Sequence, residues 1–368
     1  MENVFSLVIN LVIYIPLVLF FSIIPFITRK DLVFGVTVPK SEWKNDYFTK
    51  LRKYFLILII GAGTIFVAAD IACLMLLPEK TSVIFTQVFV WAIIIVYFLI
   101  YIFFWQKTKK YKESADWKLE TKNIVAADTN TENKRRSLSP AWFLVYLVII
   151  GVSFYSALRL YNLAPNMIPM RFDMQGNPIV YAPKSMKIIY MIIGMQAFLA
   201  LLFFGINFVI RRAKKTIDPD NPEKSSERSD MMKFRWSVFL FVTGFIMLLI
   251  FAQIVFAMFT QMPMWITMFF PIVCVFIILI YAVVLSIKTG QSGSRIKQNG
   301  DTNSGTSIVR DDDSLWKLGT FYYNKEDPAV FVERRFSPGW TNNWARWQSW
   351  LFVAAILAIV AVSLILSF

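Results

Sequence analysis

Apolar residues fall in blocks of roughly 20 positions that carry few or no charges, the length a helix needs to cross about 30 Å of hydrocarbon. The blocks are continuously apolar rather than alternating, which is typical of membrane helices and not of barrel strands. The predicted fold class is therefore an all-α polytopic membrane protein with about eight transmembrane helices. We expect these helices at about 4–27, 54–78, 82–105, 141–163, 186–210, 236–261, 265–287 and 349–368.

Polar stretches between the blocks divide the chain into regions. The composition of 288–309, rich in Gly, Ser and Asn, predicts disorder, and 106–140 and 211–235 are expected to be cytoplasmic linkers. In chain order the regions are 1–105 (first three helices), 106–140 (linker), 141–210 (helices four and five with an outer loop at 162–185), 211–235 (linker), 236–287 (helices six and seven), 288–309 (linker), 310–348 (small aromatic element) and 349–368 (last helix).

Lysine and arginine concentrate in the four connections that follow the first, third, fifth and seventh blocks. These connections hold 33 of the chain's 38 basic residues. Because basic loops are retained in the cytoplasm, all four connections are predicted to be cytoplasmic and both termini to lie outside.

The composition limits the chemistry that the chain can perform. Hydrophobic residues make up 57% of the 368 residues, and there are two cysteines and no histidine. The lack of histidine removes the commonest general base, the usual catalytic triads and the zinc-binding helix. We therefore expect no enzyme activity, no catalytic residue, no metal site and no cofactor. The net charge of +14 follows from the dispersed basic connections, so direct nucleic-acid binding is not expected.

Five polar side chains lie at similar depth in the outer halves of five different blocks. They are Asp70, Gln87, Arg159, Gln196 and Gln253. Polar residues at membrane depth are costly and mark either a functional cavity or a contact between helices. One interpretation is a polar pocket open to the outside, and the other is interhelical hydrogen bonding that only orders the bundle. Asp70 and Arg159 differ in depth by roughly 6 Å and are predicted to form an ion pair.

The outer loop at 162–185 is expected to be stiff. Pro169 and Pro178 fix the backbone φ angle, and Gly176 permits a turn with positive φ. Arg171 and Asp173 place opposite charges two positions apart. A stiff, charged loop suits ligand docking because less entropy is lost on binding. A stiff re-entry turn between two helices is the alternative.

The same loop carries a motif of eight positions: Pro165, Ile168, Pro169, Phe172, Asp173, Gly176, Pro178 and Lys184. In these positions the chain resembles the bacterial membrane proteins with domain of unknown function 1648, which include the SdpI-like toxin-immunity proteins. Arg171 departs from the motif, because the family usually has histidine there. The resemblance implies a multi-pass protein of the bacterial plasma membrane with a ligand-binding outer loop. The expected ligand-binding residues are Pro169, Arg171, Phe172, Asp173, Gly176, Pro178 and Lys184.

A second resemblance covers the stretch WKLGTFYYNKEDPAVFVERRFSPGWTNNWARW, which begins at residue 316. Its closely spaced aromatic residues, its NKEDP turn and its β-prone VFV run predict a small ordered cytoplasmic element that lies against the membrane through Trp and Phe. A plain aromatic belt at the membrane surface is the alternative. The stretch is similar to the domain of unknown function 5808 at Tyr323, Asn324, Asp327, Pro328, Val332, Gly339, Trp340 and Asn343. We predict that Asn324, Asp327, Trp340 and Asn343 contact a cytoplasmic partner.

The two resemblances favour an immunity or sensing protein that binds an extracellular peptide toxin and contacts a cytoplasmic regulator. The lipid bilayer is a further partner, implied by the helices themselves. A membrane transporter, or a permease component for a small molecule, is the alternative. A transporter predicts a polar path through both leaflets and often inverted repeats, and the sequence contains no clear repeat.

A reporter that works only in the cytoplasm tests the predicted orientation. Fused after Phe368 it should be silent, and inserted near Asn299 it should be active, because basic connections are retained inside. Reporter activity would be compared between the two fusions at matched protein levels. The reverse pattern would overturn the orientation.

Overall fold

The structure, a computed structural model, describes residues 2–115, 117, 137–172, 178–215, 217, 222–260, 262–296 and 311–354. Seven long α-helices lie within these ranges. They are α1 (Glu2–Ile27), α2 (Asp46–Leu76), α3 (Glu79–Ser114), α4 (Leu144–Leu160), α5 (Met186–Arg212), α6 (Pro222–Thr260) and α7 (Met264–Thr289).

All seven of these helices are long and apolar enough to cross a membrane. The chain is therefore a multi-pass integral membrane protein, as its apolar blocks predicted. A helix begins at 347 and includes residues 349–354 of the predicted last helix; 355–368 lie outside the described residues. The total of eight helices and their orientation stay predictions.

The helices pack as two groups of three that α7 connects. Helices α1, α2 and α3 pack on one another, α4, α5 and α6 form the second group, and α7 contacts both α6 and α1. Gly63 shows how closely the first group packs, because an added Cβ there would lie 2.6 Å from Val18 and 2.7 Å from the Tyr97 hydroxyl. Small residues allow such close approach between membrane helices.

Four short antiparallel hairpins accompany the helices in the described residues, and the prediction of an all-α fold did not include them. Their strands are β1 (Leu32–Val33) with β2 (Val36–Thr37), β3 (Met167–Phe172) with β4 (Pro178–Pro183), β5 (Trp316–Lys317) with β6 (Phe321–Tyr322), and β7 (Phe331–Glu333) with β8 (Trp340–Asn342). Strands of two to six residues are too short to give a clear alternation in the sequence. The predicted β-prone VFV run overlaps β7.

Two helices extend well beyond their apolar blocks. Helix α3 continues to Ser114, although the block was predicted to end at 105, and α6 begins at Pro222, inside the expected linker 211–235. The first turns of α6 bury polar residues, including Ser229 and Asp230, against other parts of the chain. Protein contacts rather than lipid stabilise this part of the helix.

We call the end of the bundle that carries β3 and β4 the hairpin end. We call the opposite end, where α1, α3, α5 and α7 finish and α6 begins, the basic end. Residues 311–346, which hold β5 to β8, are called the C-terminal module. The module packs on the basic end, where the Tyr101 hydroxyl of α3 donates to Leu318 O at 3.0 Å.

Candidate functional site

The 162–185 loop forms a hairpin that is tied firmly to the helices below it. Lys184 N donates to Asn166 O at 2.8 Å and closes the open end of the hairpin. Lys184 Nζ donates to Tyr161 O at 3.2 Å and to Ala164 O at 3.1 Å. Lys184, a predicted ligand-binding residue, therefore anchors the hairpin to the end of α4.

One face of this hairpin is buried on the second helical group. Ile168 is fully buried and packs in a cluster with Ile189 of α5 and with Val255 and Phe259 of α6. The ring of Phe259 also contacts that of Tyr161, with 6.4 Å between centroids. The hairpin is thus attached to α4, α5 and α6 at once.

Proline occupies outward-facing backbone positions of the hairpin. Hydrogen-bonded pairs alternate along an antiparallel ladder with pairs whose N–H groups point away from the partner strand. Asn166 and Lys184 form a hydrogen-bonded pair at the open end of the hairpin. Counting from that pair, the N–H positions of Met167–Pro183 and of Pro169–Tyr181 point away from the partner strand. Each strand therefore has a proline at such a position, and its missing N–H protects that edge against the addition of another strand.

The remaining predicted loop residues are described only in part. Pro178 is exposed at the start of β4. The backbones of Arg171 and Phe172 belong to β3, with a register shift on either side of Arg171, and nothing is described of their side chains. Asp173 and Gly176 lie outside the described residues. The opposite charges of Arg171 and Asp173 and the turn at Gly176 therefore stay predictions.

The predicted polar layer contains two separate hydrogen-bonded groups. In the first helical group, the buried Asp70 accepts hydrogen bonds from Asn10 Nδ2 at 2.5 Å and from Thr86 Oγ1 at 2.7 Å. In the second group, Gln196 Nε2 donates to Ser153 Oγ and to Leu248 O, each at 3.1 Å. Each group joins the three helices of its own bundle.

The predicted ion pair between Asp70 and Arg159 is wrong. Arg159 is exposed on α4, where its Nε donates to the Tyr155 hydroxyl at 3.0 Å and its guanidinium lies over the Tyr155 ring. Similar depth in the membrane does not bring two residues together when their helices pack in different groups. Of the other members, Gln87 is exposed, and Gln253 is half-buried with its amide atoms unpaired among the described residues.

A dense polar cluster lies at the basic end and is centred on Arg335, which is 5% exposed. Its guanidinium donates to the carboxylates of Asp312 and Asp313 within the module. It also donates to Gly35 O at 3.0 Å and to Thr37 Oγ1 at 2.8 Å in the β1–β2 hairpin. Arg335 therefore joins the module to the segment that follows α1.

Helix α3 contributes a second cation to the same cluster. Lys112 Nζ lies 2.8 Å from Asp311 and 2.7 Å from Asp313. Burial alone would raise the pKa of Asp313, but the charges of Arg335 and Lys112 and their hydrogen bonds outweigh it, and the pKa is lowered. Asp313 is therefore held as a carboxylate between two cations.

Gln291 connects three parts of the basic end. Its Oε1 accepts a hydrogen bond from Arg29 N at 3.1 Å, just after α1, and its Nε2 donates to Arg334 O in the module. Gln291 itself follows α7, beyond Gly290, whose φ of 62° is readily adopted only by glycine. The ends of α1 and α7 are thus fixed relative to the module.

Two residues predicted to contact a partner are instead buried inside the module. Asn343 Nδ2 donates to the backbone oxygens of Asn324 and Asp327 at 2.9 and 3.1 Å. The Asp327 carboxylate accepts from Lys214 Nζ at 2.7 Å and from the Tyr322 hydroxyl at 2.9 Å. Both side chains are thus engaged within the module, and the contact of Asp327 and Asn343 with a partner stays a prediction.

The other two predicted partner residues, Asn324 and Trp340, are half-buried. A cleft of about 340 Å³ lies beside Asn324, between the module and the helix ends. Arg29, Lys214, Gln291, Glu333 and Arg334 are among its lining residues. The cleft is polar, and the residues that the structure describes contain no cluster of His, Cys, Asp and Glu that could hold a metal ion.

Comparison with known proteins bears on this module. Residues 325–350 match the family of unknown function DUF5808. The match begins in the NKEDP turn and includes β7, Arg335, β8 and Asn343, as the second resemblance predicted. No curated protein and no solved structure matches the chain. The resemblance of the 162–185 loop to the domain of unknown function 1648 stays a prediction.

Sequence reasoning missed Arg335 and its partners. A signal was present, because the chain carries three consecutive acids at Asp311–Asp313 and two consecutive arginines at Arg334 and Arg335. Complementary charge runs within one small element are compatible with pairing, but surface charges show the same pattern. Only the structure shows that the second arginine is buried.

Replacing Arg335 should loosen the module. Arg335→Ala leaves Asp312 without its cation and Asp313 with Lys112 alone, and breaking a buried pair in this way costs about 3–5 kcal/mol. The thermal midpoint of the purified protein and protease resistance of the module should both fall. Arg334→Ala is the matched control, since Arg334 is exposed and its backbone contact with Gln291 is kept. Equal effects of the two substitutions would contradict the assignment.

The cluster also predicts a loss of stability in acid. The pKa of Asp313 is lower in the folded protein than in the unfolded chain. The stabilisation that the Asp313 carboxylate contributes is therefore fully present above the unfolded-state pKa of about 3.9. It is lost as pH falls through the lower pKa of the folded state. Thermal midpoints measured between pH 7 and pH 3 should show this loss. Asp313→Asn should be less stable at pH 7 and less sensitive to acid; an unchanged pH profile would argue against the assignment.

Proposed function

We propose that this chain is an SdpI-like immunity or sensing protein of the bacterial plasma membrane. The 162–185 hairpin lies outside and binds an extracellular peptide toxin, and the C-terminal module lies in the cytoplasm and contacts a regulator. The resemblance of the loop motif and the distribution of Lys and Arg support this orientation. The observation that carries the proposal is the path of α6.

Helix α6 contacts the hairpin at one end and the module at the other. Its 39 residues extend about 58 Å, which exceeds the thickness of the hydrocarbon core. At the hairpin end, Val255 and Phe259 are buried against Ile168 of β3. A change in the hairpin therefore acts directly on this helix.

At the basic end the same helix contacts the module and the end of α5. Ser229 Oγ donates to Glu333 Oε1 of β7 at 2.9 Å. Asp230 pairs with Lys215 at 2.7 Å, and the backbone N of the adjacent Lys214 donates to Phe331 O at 3.1 Å. A shift or rotation of α6 would thus alter its contacts with the module.

A transporter remains the second hypothesis. It would use the hydrogen-bonded groups around Asp70 and Gln196 as parts of a substrate path. In the described residues these groups lie in different helical groups: Asp70 bonds to α1 and α3, and Gln196 bonds to α4 and α6. This arrangement favours sensing, since a path needs polar groups that face a common cavity.

Substitutions in the loop test the proposal. Arg171→Ala and Asp173→Ala should abolish protection against peptides secreted by related bacteria, because the proposed charged contacts with the toxin are lost. Survival would be measured at matched levels of membrane-inserted protein. Lys187→Ala is the matched control, because Lys187 is an exposed basic residue near the same end. Pro169 and Gly176 substitutions should instead lower protein levels. If both alanine variants protect as wild type does, the transporter becomes the better hypothesis.

A module substitution separates binding from response. Trp340→Ala in β8 should leave toxin binding to whole cells unchanged and should abolish the downstream response. Loss of both together would indicate a folding defect rather than loss of relay.

A further inference from the structure

The β5–β6 hairpin lies beside the apolar part of α3 rather than beyond its end. Its turn has two left-handed residues, Leu318 with φ 52° and Gly319 with φ 69°. A Cβ on Gly319 would lie 2.6 Å from the Trp105 ring and 2.7 Å from the Tyr101 hydroxyl. Only glycine allows the turn to approach α3 this closely.

The contacts of this hairpin fix its depth along α3. Leu318 O accepts the Tyr101 hydroxyl at 3.0 Å, and the ring of Phe321 contacts that of Phe98 with 6.2 Å between centroids. Lys107 is the first basic residue at this end of α3. Phe98 precedes it by nine residues, which is about 13 Å along a helix axis. The hairpin therefore reaches well past the level at which α3 becomes basic.

Three side chains at or beside the tip present uncovered apolar surface. Leu318, Phe321 and Tyr323 are 36%, 37% and 41% exposed. On α3 itself, Leu99 and Phe103 at the same level are exposed as well, as expected for residues that face lipid. The apolar surface of the hairpin thus continues the lipid-facing surface of a membrane-spanning helix.

Two backbone N–H groups at the tip have hydrogen-bond partners, and burial in lipid requires such pairing. Gly319 N donates to Trp316 O at 3.3 Å and Thr320 N to Lys317 O at 3.2 Å. The Lys317 ammonium donates to Ser314 O, which precedes the hairpin, at 3.4 Å. The Lys317 side chain thus points back toward the start of the hairpin and away from its tip. A basic side chain at the edge of the hydrocarbon region is expected to extend in this way.

We propose that the β5–β6 hairpin is inserted into the leaflet on the module's side of the membrane. Leu318 and Phe321 then lie among the acyl-chain carbons next to the lipid headgroups of that leaflet. The occupant of this apolar surface is lipid. The inserted hairpin holds the module against the bilayer independently of the Arg335 cluster. The proposal concerns membrane attachment alone and does not rest on toxin binding.

Nitroxide labels on the full chain in liposomes test the insertion. Cys73 and Cys274 are first replaced by alanine so that each variant has one thiol. Leu318→Cys and Phe321→Cys are labelled at the tip, and Ser314→Cys and Glu326→Cys serve as controls at exposed sites of the same module. Relaxation is then measured with oxygen, which concentrates in lipid, and with a water-soluble nickel chelate.

The proposal predicts strong oxygen relaxation and weak nickel relaxation at 318 and 321, with the opposite ratio at 314 and 326. Two labelled tip positions guard against one variant that fails to fold, and elution of the purified protein as a single species checks the fold of each. Nickel access at 321 equal to that at 326 would overturn the proposal. Weak relaxation by both reagents at 318 and 321 would also overturn it, because the surface would then be covered by protein rather than lipid.

Discussion

The burial of Arg335 is the interaction on which the basic end of the protein depends. A guanidinium removed from water is stable only when its charge is compensated and its N–H groups are paired. Asp312 and Asp313 supply the charge from the module, and the β1–β2 hairpin supplies Gly35 O and Thr37 Oγ1. Neither segment alone satisfies the cation. Docking is therefore cooperative, and separating the module from the β1–β2 hairpin removes the acceptors Gly35 O and Thr37 Oγ1 from the guanidinium.

Further contacts hold the ends of three helices in position relative to the docked module. Gln291 ties the ends of α1 and α7 to the module, and Ser229 ties the start of α6 to β7. At the far end of α6, Phe259 packs under the 162–185 hairpin. Packed interiors transmit displacement because they deform little. Under the proposed function, α6 is the element whose position both the toxin and the regulator bias.

The sequence predicted the parts that lipid dictates and missed those that depend on packing. Apolar blocks located the seven described helices, because a bilayer allows few other backbone structures. Depth alone could not pair Asp70 with Arg159, since depth says nothing about which helices are neighbours. The C-terminal match was predicted from residues such as Asn343, but their roles were not, because a motif does not distinguish a buried hydrogen-bonding residue from an exposed contact. The coupling of Arg335 to Thr37 spans most of the chain and leaves no local pattern.

A double-mutant cycle between Arg335 and Asp313 tests the central claim most directly. Free energies of unfolding would be measured in detergent micelles for the wild type, Arg335→Ala, Asp313→Ala and the double variant. Residues that share a buried network show coupling energies of about 0.5–3 kcal/mol. We predict coupling above about 1 kcal/mol, with the double variant less destabilised than the sum of the single variants. Additivity within about 0.3 kcal/mol would mean that the two residues act independently, and would contradict the account.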